Sequence, residues 1–77
     1  MSVSNVTSID TLFAVNIDTP SASLTYIGEA AIASLPSDPV WRIKKLETTG
    51  SVLSITWADG NNAFDNIWDN RSSLIYL

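Results

Sequence analysis

The sequence predicts a mainly β domain, a small antiparallel β-sandwich or barrel-like sheet, and three observations predict it. Leu53, Ile55 and Trp57 alternate with Ser54 and Thr56, the period of two that marks a half-buried strand. A second alternating run, Val40 to Thr48, lies just upstream across the turn pair Thr49-Gly50, so residues 40–58 read as an antiparallel hairpin. The third observation is size. A chain of 77 residues makes one domain, for which a radius of ~11 Å and burial of roughly 60 to 65% of the unfolded surface are expected.

In chain order, residues 1–10 are rich in Ser, Thr and Asn and read as an extended N-terminal arm, leaving residues 11–77 as a single small β domain. Phe13, Val15 and Ile17 alternate as a strand over residues 11–17 would, although Val6, Ile9 and Phe13 also share the spacing of a helix face. A second strand is expected over Ala22 to Ile27. Gly28 to Ala31 and Pro36 to Pro39 then form a loop, with Pro39 forcing Asp38 toward an extended conformation. In the run from Val40, Trp41 and Ile43 occupy one face while Arg42 and Lys44 occupy the other. Leu46 falls in with the charged set, and a bulge near Lys44-Lys45 is expected to return it to the apolar face.

After the strand over residues 51–58, Asp59-Gly60-Asn61-Asn62 is a second turn, because Gly and Asn tolerate positive φ at little cost. Beyond it the period changes. Phe64, Ile67 and Trp68 stand at i, i+3 and i+4, which predicts a short helical turn near residues 63–69 with Asn62 as its cap and Asp65 in the acidic capping-box position. Ser72 to Tyr76 reads as the last strand, apolar on both faces.

Composition excludes more than it assigns. The chain has no Cys and no His, so neither ordinary zinc sites nor Ser-His-Asp and Cys-His constellations are available. Asp65 and Asp69 are spaced to share a helical face like a glycosidase pair, but a cap and a solvated face explain them more simply. Asp59, Asn61 and Asp65 offer oxygens near a glycine, yet their spacing departs from a calcium loop. No catalytic, cofactor-binding or metal-binding residue is therefore assigned, and an enzyme is not expected. Arg42, Lys44 and Lys45 gather three of the four basic residues on one strand, but a formal charge of −4 repels phosphate backbones, so no nucleic acid is expected as partner. The sequence holds no apolar run near the ~20 residues of a membrane span and no basic start of a secretory signal, so no membrane partner is expected either.

What remains is stickiness. The hydrophobic fraction of 45% argues against disorder, and a small core without disulfides or metal is stabilised most simply by self-association. Trp41, Trp57 and Trp68 bury about 150–250 Å² each, more than so small an interior easily hides. A homo-oligomer is expected.

At these same residues the chain resembles a family of small bacteriophage proteins. The resemblance rests on Y-I-G-E-A-A, V-W-R-I-K-K-L, I-T-W-A-D-G and F-D-N-I-W-D-N-R-S-S-L-I-Y in succession, and spans Tyr26 to Tyr76. Its motif falls on Gly28, Trp41, Arg42, Phe64, Trp68, Arg71 and Leu74, while Ile32 to Asp38 departs from the Gly/Thr-rich linker of that pattern. The resemblance implies a virion component assembled in the host cytoplasm, most simply a capsid decoration or cement protein whose partners are coat subunits. A neck, tail or fibre-attachment subunit is the alternative, and a small carbohydrate-binding module is another. Within that picture Trp41 and Trp68 are the candidate anchors, Arg42 and Arg71 the candidate partners for carboxylates, and Tyr76 a further partner-binding residue. The competing reading has Trp68 and Arg71 closing the domain's own core, with Asp65 or Asp69 as the internal ion pair.

Overall fold

A computed structural model describes residues 12–77; the expected arm over residues 1–10 lies outside the described residues. The chain folds as an antiparallel meander, β1 (Ala14–Ser21), β2 (Leu24–Ala30), β3 (Pro39–Thr49) and β4 (Val52–Trp57), side by side in sequence order. A two-residue strand, β5 (Asn66–Ile67), pairs with the start of β3, and a single 3-10 turn follows over Trp68–Ser73. The mainly β, antiparallel expectation holds.

Turn chemistry sets the register. Gly50, at φ +62°, takes the first central position of the β3–β4 turn, which lets the strands close through two residues with Thr49 opposite Val52. From that pair the ladder runs unbroken to Lys44 opposite Trp57. The expected bulge near Lys44-Lys45 is therefore absent, and Leu46 stays on the side of Arg42 and Lys44. It needs no bulge because Ile55 on β4 stands directly opposite it.

One face of the sheet is closed by the chain's own C-terminal third. Tyr26, Ala30, Trp41, Ile43, Ala58 and Trp68 are buried there, and the 3-10 turn lays Trp68 across β2 and β3. Trp68 can lie so close because the position beneath it is Gly28. A Cβ on that residue would come within 2.5 and 2.7 Å of the indole and 3.2 Å from Trp41. Gly28 was expected in a loop, but it lies within β2, where its value is the absence of a side chain rather than freedom to bend. The Trp41 and Trp68 rings meet with centroids 6.0 Å apart, tilted by 42°.

The helical turn sits later than residues 63–69. Ala63 donates its amide to Asn61 Oδ1 at 2.9 Å, so Asn61 rather than Asn62 organises that stretch, and it does so as a turn. Asp59 and Gly60 both take positive φ, at 62° and 72°. Residues 66–67 then pair with β3 before the chain coils. The last strand, expected over Ser72 to Tyr76, is reduced to a bridge between Tyr76 and Ala58, because the 3-10 turn runs through Ser73.

The molecule measures 39 × 30 × 20 Å. Two packed layers at ~10 Å each account for the short dimension, so among the described residues the sheet carries a covering layer on one side only. This flat shape explains why the radius of gyration, 13.4 Å, exceeds that of a rounder domain of the same length.

Substituting Gly28→Ala should destabilise the fold by about 1–3 kcal/mol through overpacking, read as a lower midpoint in urea. In a Trp68→Leu background the same change should cost much less, since the indole it strikes is gone. Equal costs in both backgrounds would show that Trp68 does not rest on Gly28.

Candidate binding face

Among the described residues no layer covers the other face of the sheet, and it is apolar. Alternation along β1 directs Val15 and Ile17 to it, while β2 contributes Ile27, β3 Leu46, and β4 Leu53, Ile55 and Trp57. Cross-strand pairing joins these residues into rows: Ile17, Ile27, Lys44 and Trp57 in one, Thr25, Leu46 and Ile55 in the next. Ile17, Leu53 and Ile55 are 65%, 55% and 54% exposed. Fully burying an aliphatic side chain of this kind stabilises by roughly 1.5–3 kcal/mol. These three alone thus leave several kcal/mol unrealised, against the ~5–15 kcal/mol that holds a small domain together.

One end of the face is framed by aromatic rings. Phe13 and Phe64 stack with centroids 5.7 Å apart, and the Arg42 guanidinium lies 5.1 and 4.6 Å from their centres. Arg42 Nε also donates to Glu29 Oε1 at 2.8 Å, so its charge is matched on the same surface. Beside this group Leu12, Phe13, Ala31, Val40 and Phe64 line an open apolar recess of about 360 Å³. At the β4 side, the Lys44 ammonium lies 5.5 Å from the centre of the Trp57 ring.

Of the five residues expected to contact partners, four (Trp41, Trp68, Arg71 and Tyr76) lie on the covered side of the sheet. Trp41 and Trp68 are 1% and 6% exposed, so both are core residues and neither is free to anchor a partner. The Trp41 indole N–H donates to the Leu35 carbonyl at 2.9 Å, which ties the β2–β3 loop to the core. Arg71 closes the covered side. Its Nε donates to Asp18 Oδ2 at 3.0 Å, its guanidinium lies 4.6 Å from the centre of Trp68, and a terminal nitrogen donates to the Trp68 carbonyl at 3.2 Å. The acid is Asp18 on β1, not Asp65 or Asp69. A pair this exposed adds ~0–1 kcal/mol, so Arg71 acts mainly by packing on the indole. Tyr76 packs against Tyr26 with centroids 5.7 Å apart and donates its hydroxyl to the Arg71 carbonyl at 2.7 Å. Only Arg42 lies on the open face.

The other sequence candidates separate in space. Lys45 points to the covered side, where its ammonium lies 5.2 Å from the centre of Tyr76, so the three basic residues of β3 do not form one patch. Asp65 accepts from the Asn66 side chain at 3.2 Å ahead of β5, and Asp69 begins the 3-10 turn, so they share no helical face. Among the described residues no three acidic, His or Cys side chains converge as metal ligands, and no helix is long and apolar enough to cross a membrane.

Burial, then the neighbouring Tyr26, raises the Tyr76 phenol well above its ordinary 10.0, with Arg71 pulling the other way. A folded-state value above the unfolded one means this group's contribution is complete below pH ~10 and is lost as the pH climbs past it. Unfolding free energy should therefore fall more steeply on the alkaline side in the parent chain than in Tyr76→Phe. Parallel pH profiles in urea melts would refute the assignment. Comparison of the chain with protein-family models, with curated proteins and with solved structures finds no match.

Proposed function

We propose that this chain is a non-enzymatic virion structural protein of a bacteriophage, most simply a capsid decoration or cement protein that docks on coat subunits. The observation that supports the reading is the uncovered sheet face. A folded chain that leaves its most regular apolar surface in water is one component of a larger assembly, because contiguous exposed apolar area of this kind marks an interaction site. The resemblance of the segment from Tyr26 to Tyr76 to small phage proteins supplies the kind of assembly.

The mechanism is mass action. A protein that binds the assembled shell and not its separated subunits stabilises the shell by its binding free energy, and linking several copies multiplies the effect. The aliphatic rows supply area, and the Phe13–Phe64 pair with Arg42 supplies an aromatic and guanidinium group of the type that dominates interface energetics. Off the face, Ile32, Leu35 and Ile75 are exposed as well, so a copy engaged through its sheet still has apolar contacts for the shell. A carbohydrate platform is less well supported, since burial of Trp41 and Trp68 leaves Trp57 as the one half-exposed indole.

Imaging purified particles that carry the labelled chain tests this reading. Regular occupancy over the shell is the expected result, whereas label confined to a vertex or tail would move the chain to a neck or fibre role. Ile55→Glu should reduce occupancy at least about tenfold, since a charge buried without a partner costs more than 1.4 kcal/mol, while the circular dichroism of the isolated chain stays unchanged. Absence from every part of the particle would end the proposal.

A further inference from the structure

We infer that the occupant of the uncovered face is a second copy of this chain, the two sheets packing face to face as a β-sandwich; this rests on the reading of the chain as an assembly component. Size, charge and pattern carry the inference.

The molecule's broad side measures 39 × 30 Å. Within it the apolar field covers four strands at ~4.8 Å and about seven residues at ~3.3 Å, a footprint of roughly 450 Å² before corrugation and before the Phe13–Phe64 rim is added. Two such faces bring together on the order of 1,000 Å², the scale at which a specific interface becomes stable.

Charge permits the pairing. The chain carries a net −4, yet among the described residues the only acid that the four long strands direct to this face is Glu29, which is bonded to Arg42. Asp18 and Glu47 alternate to the covered side, and Asp38, Asp59, Asp65 and Asp69 lie outside the four long strands. Glu29 aside, the described acids that would drive two copies apart are thus displaced from the surfaces that would meet. Lys44, the remaining cation of the face, holds its ammonium 5.5 Å from the centre of the Trp57 ring on β4, so an indole already partners the charge where two copies would face each other.

The pattern fits as well. Antiparallel sheets stack ~10 Å apart at about −30°, interlocking aliphatic rows of this kind. A self-complementary two-fold contact of the same patch on both partners is the commonest way small chains associate. Here the rows of branched residues on β1, β2 and β4 meet their own counterparts.

Light scattering on the full chain across a range of concentrations is the first test, and the expected species is a dimer that dissociates on dilution. Trp41 and Trp68 are buried within each copy, so the emission that shifts to the red on dilution should be that of Trp57, and Trp57→Phe should remove the shift. Ile17→Lys and Ile55→Glu alter side chains already exposed in the single chain, so the circular dichroism should be retained while dimer affinity falls by roughly 100-fold or more. A chain that stays monomeric at every concentration, or a dimer indifferent to both substitutions, overturns the inference. A monomer that attaches to particles through this face also overturns it and leaves the virion reading standing. A dimer that both substitutions dissociate, but that no particle carries, upholds the inference and removes the virion reading instead.

Discussion

A four-stranded sheet has two faces, and the described residues supply one covering segment. Residues 58–77, which follow β4, pack mainly on the side of Trp41 and Ile43, with Phe64 reaching Phe13 at one end of the other face. Every other feature follows from that allocation. Trp68 must be brought flat onto the sheet to cover it with so few residues, so β2 must offer a position with no side chain, and Gly28 is that position. The β2–β3 loop must be held against the same core, so the Trp41 indole bonds the Leu35 carbonyl and the Asp69 amide bonds the Pro36 carbonyl at 3.1 Å. Among the described residues the opposite face receives Phe64 at one end and no covering layer.

Cohesion is accordingly concentrated in a few large side chains. Trp41, Trp68, Tyr26 and Tyr76 with the overlying Arg71 make one continuous aromatic layer, each ring of which buries far more area than an aliphatic residue. Such a core tolerates little change, since truncating a buried Phe or Trp typically costs 3–5 kcal/mol. This also explains why Trp41 and Trp68, conspicuous in the sequence as candidates for surface contact, are unavailable for it. A small domain that spends two indoles on its interior must do its external work with Ile, Leu and Phe.

The fold was legible because strand period and turn residues are local signals. The candidate face was legible in part, and the missing step is identifiable. A two-residue turn at Gly50-Ser51 fixes Lys44 opposite Trp57 and Leu46 opposite Ile55. Because Lys44 and Leu46 alternate with Ile43 and Lys45, this already places the apolar side of β4 away from Trp41. Assuming that the alternating apolar residues of every strand point to a single core hid that consequence and called for a bulge to rescue Leu46. Gly28 was harder to read, since a glycine that bends the chain and one that admits an indole look the same in sequence. The Phe64 to Trp68 spacing misled for a different reason. Pairing of Asn66 and Ile67 with β3 outweighed a weak helical preference.

An apolar face left in water invites indiscriminate association, and the way this sheet limits it argues for a defined partner. The outer edge of β4 is closed beside Trp57 by the C-terminal segment: Leu77 and Trp57 exchange backbone hydrogen bonds at 3.0 and 3.3 Å, and the Asp59 amide bonds the Ile75 carbonyl at 2.8 Å. Capping an edge in this way blocks strand-to-strand growth, the route by which exposed sheets aggregate. The face itself is interrupted by the Glu29–Arg42 pair and by Lys44, whose polar heads must be accommodated by any surface that covers them. An apolar surface that offered these charges no polar counterpart would incur the cost of desolvating them. The three charged residues therefore act as a filter on what the sheet accepts. Beside Trp57 the β4 edge is blocked while contact face to face is kept, which favours a counted assembly over strand-to-strand growth there.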